Sequence, residues 1–123
     1  MTLTDQQILE AKTVLKLHKP RHEHNDCIRM AYEWLDAQTK MKRKRSDDWK
    51  HLVEHWCGCH ITSDDIKVAA HLHPAIQQDG DKLNLSSIRV LPRVDRLDGI
   101  GEAYSHASSM SEDRKMSYRK REK

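Results

Sequence analysis

The chain has 123 residues, with 22 Lys and Arg against 19 Asp and Glu, 37 % hydrophobic residues, 33 % charged ones and no Phe. That length supports one domain with a single modest core, and no apolar run approaches the roughly 20 residues of a membrane span. The net charge of +3 says little alone, because fields are screened beyond about 8–10 Å and the placement of the cations decides what they do.

Thr4 with Gln7 three residues on forms a capping box and predicts a helix start, with Asp5 suited to its positive end. Ile8, Ala11, Val14 and Leu15 recur at helical spacing, and Pro20 predicts a stop near His18 or Lys19. A polar connection with His18, His22 and His24 follows, open to metal binding or to a plain solvated linker. Asn25 and Asp26 start a second helix whose buried face is Cys27, Ile28, Ala31, Trp34 and Leu35. Cys27 lies on that face and reads as a small buried hydrophobe, not a nucleophile.

Residues 40–45, Lys-Met-Lys-Arg-Lys-Arg, place five cations in six positions. Such a run repels itself and resists burial, so an exposed helix end or loop is expected. Lys40, Lys42, Arg43, Lys44 and Arg45 are candidate phosphate contacts; the alternative is a solvated junction that complements the preceding helix dipole. Ser46, Asp47 and Asp48 then cap a third helix, which Gly58 ends in the left-handed region. Its Trp49, Leu52, Val53 and Trp56 fall within an arc of about 100°, an inward stripe.

Two strings in this helix carry metal-ligand types. His51-Leu52-Val53-Glu54-His55 matches the H-x-x-E-H pattern of inverted zinc peptidases. Helical geometry turns both histidines away from the tryptophan stripe, so they read as an exposed pair without a catalytic role. Cys57, Cys59 and His60, with His55, His71 or His73 to complete a tetrahedron, hold donor types that suit zinc. Without a metal these thiols are packed groups at a helix end. The odd count of three cysteines, with no secretory leader before them, points to a reducing, cytoplasmic setting.

Thr62 or Ser63 opens a fourth helix with Ile66, Ala69 and Ala70 inward, ended by Pro74. Residues 77–82 form a polar turn around Gly80. The helix opened by Ser63-Asp64-Asp65 and carrying Val68-Ala69-Ala70 is followed by Ser86-Ser87-Ile88-Arg89-Val90-Leu91, Arg96-Leu97 and Asp98-Gly99-Ile100. Over residues 63–100 this order resembles a helix-turn-helix of winged-helix type. The resemblance implies a second helix set in a DNA major groove. On one helix over residues 87–97, Arg89, Arg93 and Arg96 fall within an arc of about 60°. The other reading makes residues 83–91 extended and Pro92 the first residue of a short helix, which breaks up that stripe. Beyond it, residues 101–106 are expected to form a helical turn with Ala103 and Tyr104 packed inward.

The expected fold is all-α: one small bundle of four to five helices over residues 1–108, then a charged, disordered tail at 109–123. That tail carries Arg114, Lys115, Arg119, Lys120, Arg121 and Lys123. No nucleophile sits in a recognisable setting, no Gly-rich phosphate loop exists and no carboxylate pair is placed for acid–base work, so the chain reads as a non-enzyme. The expected function is a small nucleic-acid-binding regulator, foremost DNA-binding, that grips phosphates through residues 40–45, the arginines at 89, 93 and 96, and the basic tail. The alternatives are a compact helical adaptor or inhibitor of another protein, such as one acting on nucleic acid, and a small zinc-binding helical domain. No other cofactor and no membrane partner is expected.

Overall fold

A computed structural model of the chain describes residues 3–16, 25–104 and 118–123. Four helices carry the first half of the fold: α1 (Asp5–Val14), α2 (Asn25–Ala37), α3 (Trp49–Cys57) and α4 (Ser63–Leu72). Their ends follow the local chemistry. Thr4 and Gln7 form the capping box of α1, and Thr62 and Asp65 form that of α4. Gly58 closes α3 at φ 65°, where a side chain would be strained. α1 stops at Val14, earlier than Pro20 predicts, with Lys16 at φ 59°. The expected stop at His18 or Lys19 and the histidines at 18, 22 and 24 lie outside the described residues.

α2 is the axis of the core, with Ile28, Met30, Ala31, Trp34 and Leu35 fully buried. α4 packs against it through a face that includes buried Ala69 and Ala70, whose small side chains let the two backbones approach. The stripe on α3 faces inward as its spacing requires, with Trp49, Leu52, Val53 and Trp56 all buried.

The all-α expectation is incorrect, because among the described residues five strands join the helices. β1 (Lys40–Arg45), β2 (Gln78–Asp79) and β3 (Lys82–Leu85) form an antiparallel sheet in the order β1-β3-β2. β4 (Val90–Leu91) pairs in parallel with β5 (Lys120–Arg121). The turn at Gly80 is therefore a hairpin turn, and Gly80 supplies its positive φ of 62°.

The basic run at 40–45 is an edge strand and not a helix end or loop. Leu83 and Leu85 on β3 are buried, and β3 satisfies its backbone by pairing on both sides. β1 can fill the outer place because an edge strand leaves long charged side chains in water, which also discourages pairing with other chains. Its register is uneven: Lys40 faces Leu85 and Arg45 faces Leu83, so five steps on β1 span two on β3 and the middle of the strand bulges out. Buried Asn84 holds the bulge, with its Nδ2 donating to the carbonyls of Met41 and Ala75, both at 3.2 Å.

Residues 87–97 form no α-helix. They run through β4 and Pro92 into a short 3-10 helix at Val94–Leu97, so the second reading holds in breaking the segment, but its short helix begins two residues after Pro92, with Arg93 as the cap. The arginine stripe required by a single helix is therefore not formed. Tyr104 is 41 % exposed and not packed inward, while Ala103 lies against the core.

The three indoles tie helices to the segments beside the strands. Each is buried, and each N–H donates to a segment outside the helices: Trp34 to the Tyr118 hydroxyl at 2.8 Å, Trp49 to the Asp81 carbonyl at 3.0 Å, and Trp56 to the Pro92 carbonyl at 3.3 Å. Residues 118–123, read from sequence as part of a disordered tail, thus sit on the body; the helix expected from Ser111 lies outside the described residues.

Candidate functional site

The cations singled out from sequence divide into two sets. In the first set, each is held by the protein itself. Lys40 Nζ donates to the carbonyls of Asp36 at 2.6 Å and Gln38 at 2.8 Å, closing the C-terminal end of α2, where a cation meets the dipole. Burial lowers the Lys40 pKa, against the opposing pull of Asp36. Arg45 donates to the carbonyls of Leu85 and Ser86, pairs with Asp47 at 2.8 Å and lies 5.0 Å from the Trp49 ring centroid.

Arg89 grips the same Asp47 carboxylate with two nitrogens, the closest contact at 2.7 Å. Burial alone would push Asp47 up, but the bonds from Arg89, Asp48 and Arg45 hold it below the usual carboxyl range. Asp47, expected as a helix cap, is instead the hub of this cluster; α3 starts at Trp49 with Asp48 before it.

Arg96 is enclosed by three carboxylates, with Glu33 at 3.0 Å, Asp36 at 2.9 Å and Glu122 closest of all. Burial opposes ionisation of Asp36, yet hydrogen bonds from His73 and Arg96 keep its pKa lowered. Arg96 likewise lowers Glu122. For Glu33 burial wins over Arg96 and the pKa is raised. Arg93 is half exposed, pairs with Asp95 at 3.2 Å and lines the same open cleft of about 470 Å³ as Arg96.

The second set is different. Lys42, Arg43 and Lys44 are exposed on the bulge of β1, and no ion pair among the described residues involves them. Arg119, Lys120 and Arg121 are also exposed and outside every such pair.

Two networks link the two ends of β1 to the chain end. At one end of β1, Asp47 takes both Arg45 and Arg89, and the Arg89 carbonyl accepts from the backbone N–H groups of Arg119 at 3.0 Å and Lys120 at 3.3 Å. At the other end, Lys40 lies on Asp36, which shares Arg96 with Glu122. The chain end is thus fastened beside β1 at both ends of the strand. Buried Gln38 adds to this by acting as a strand partner for β4: its Oε1 accepts from Val90 N at 2.9 Å and its Nε2 donates to the Val90 carbonyl at 2.7 Å.

The metal candidates are dispersed. Cys57 and Cys59 are buried, whereas the His60 side chain is 65 % exposed. The Cys59 sulfur lies 3.9 Å from that of Cys27 on α2, and none of the three cysteines forms a disulfide. Burial pushes the Cys57 thiol up to about 12, which opposes the thiolate a metal needs. Among the described residues no group of three or more His, Cys, Asp or Glu is arranged to hold a metal ion. His51 pairs with Asp48 at 2.5 Å, and Glu54 accepts from Ile61 N at 3.1 Å, so the H-x-x-E-H string is engaged in local structure.

Sequence reasoning placed residues 40–45 as a contact surface but gave no role to Gln38, Asn84 or Glu122. Nothing local marks them, because their partners are distant in the chain. No described helix is long and apolar enough to cross a membrane. Comparison with known proteins gives no match: no family pattern fits the chain, and no curated protein or solved structure is detectably similar.

Proposed function

We propose that this protein is a non-catalytic nucleic-acid-binding regulator that grips backbone phosphates with Lys42, Arg43 and Lys44 of β1 and with Arg119, Lys120 and Arg121 of the chain end. One observation carries the reading. Among the described residues the fold supplies carboxylates to Arg29, Arg45, Arg89 and Arg96, yet leaves these six exposed cations outside its ion pairs. Unneutralised, adjoining cations repel one another, a cost that a polyanion relieves while releasing its own counterions. The contact is assigned to strands, since residues 87–97 offer no α-helix to a groove.

Fluorescence anisotropy with labelled DNA across a salt series tests this. Changing Lys42, Arg43 and Lys44 together to Ala is expected to weaken binding at least about tenfold and to flatten the log–log salt dependence by about three. Absence of binding by the wild type, or binding untouched by the substitution, would return the surface to the role of a protein-docking patch.

A further inference from the structure

We infer that the polyanion this surface fits is a nucleic-acid duplex, held by its phosphates across both basic segments without stacking on its bases. This deepens the phosphate-contact reading above and rests on it.

The first support comes from the aromatic residues. The chain has three Trp, three Tyr and no Phe, and all six lie among the described residues. Proteins that hold single strands pair a basic groove with aromatic side chains on which bases stack. Here the three indoles are buried and their N–H groups point into the fold. Tyr118 spends its hydroxyl on Trp34, and Tyr32 packs on the core with its ring 5.2 Å from that of His73. Tyr104 is the most exposed, and its backbone N–H is fixed to Cys57 at the end of α3 and not to either basic strand. Five of the six aromatic side chains are thus packed against or within the core.

The second support is rigidity. β1 is pinned at its start by Lys40, in its bulge by Asn84 and at its end by Arg45, while the chain end is pinned by Arg96 on Glu122 and by Trp34 on Tyr118. Six charges on fixed backbones suit the fixed, dense phosphate array of a duplex. A duplex also returns more counterions for each contact, about 0.9 against about 0.7 for a single strand.

The experiment measures binding of the full chain to a short mixed-sequence DNA duplex, to each of its separated strands and to a second duplex of unrelated sequence. It uses the wild type and two triple-alanine variants, one at residues 42–44 and one at residues 119–121. The expected results are duplex affinity at least about tenfold above either strand, similar affinity for the two duplexes and a log–log salt slope near −5 on the duplex. Each triple variant is expected to remove about three from that slope. Equal or tighter binding to a single strand overturns the duplex inference and leaves the phosphate reading standing. A silent variant at residues 119–121 overturns the two-segment surface. No binding to any of the four probes overturns both readings.

Discussion

The cleft beside Arg96 and the bulge of β1 contain the same kind of side chain in opposite circumstances. Arg96 is 16 % exposed and meets carboxylates from α2 and from the chain end, at positions 60 or more residues before it and 26 after. Arg43 is exposed and meets none among the described residues. A guanidinium has the same five donors in both places. Whether it holds the fold or remains available to a ligand depends on which distant elements bring acids to it. Conversely, three carboxylates crowded in the cleft would repel one another without Arg96, so the arginine there is architecture, and the bulge is where charge is left over.

The strongest way to break this contrast is Arg96→Met. It leaves Glu33, Asp36 and Glu122 facing one another and should cost about 2–3 kcal/mol, given partial exposure of the cluster. Urea unfolding measures it, and a loss below about 0.5 kcal/mol would put Arg96 in the same class as a surface cation.

Asp65 extends the comparison to acids. Arg96 and its neighbours lower Asp36 and Glu122, whereas burial raises Asp65 to about 7 against the pull of Thr62 and Lys12. An acid raised in the folded state contributes stability that is complete below its ordinary value of 3.8 and is lost as pH rises through about 7. Asp36 and Glu122 run the other way, stabilising above the ordinary carboxyl range and losing that contribution as pH falls. Asp65→Asn should therefore remove a stability decline of about 3 kcal/mol between about pH 4 and pH 7. Thermal melts of both proteins across that range check it; parallel curves would contradict the assignment.

Tyr118→Phe tests how firmly the chain end is fastened. Deleting the acceptor of the Trp34 indole should cost about 1 kcal/mol and weaken duplex binding modestly, because the phosphate-contacting side chains themselves are intact. Smallest of all is the effect of Lys42, Arg43 and Lys44 changed to Ala on the fold. Unfolding free energy should stay within about 0.5 kcal/mol of wild type, and a larger loss would mean that these side chains carry structural contacts.

The helical part of this protein was legible in its sequence. Capping at Thr4 and Thr62, the left-handed stop at Gly58 and the tryptophan stripe of α3 all rest on groups three or four residues apart, and chain-local geometry decides them. Of the strands only the extended stretch at 83–91 was legible, and β1, β5 and the division of the cations were not. A basic run at 40–45 has poor strand propensity and becomes β1 only because β3, some forty residues later, presents an unsatisfied backbone edge over buried Leu83 and Leu85. Arg89 and Arg96 look as available as Arg43 until Asp47, Asp36 and Glu122 are folded against them. By itself the sequence determined the helices and the amount of positive charge. The tertiary structure decided which cations are neutralised, because strand pairing and ion pairing join residues that only the finished chain brings together.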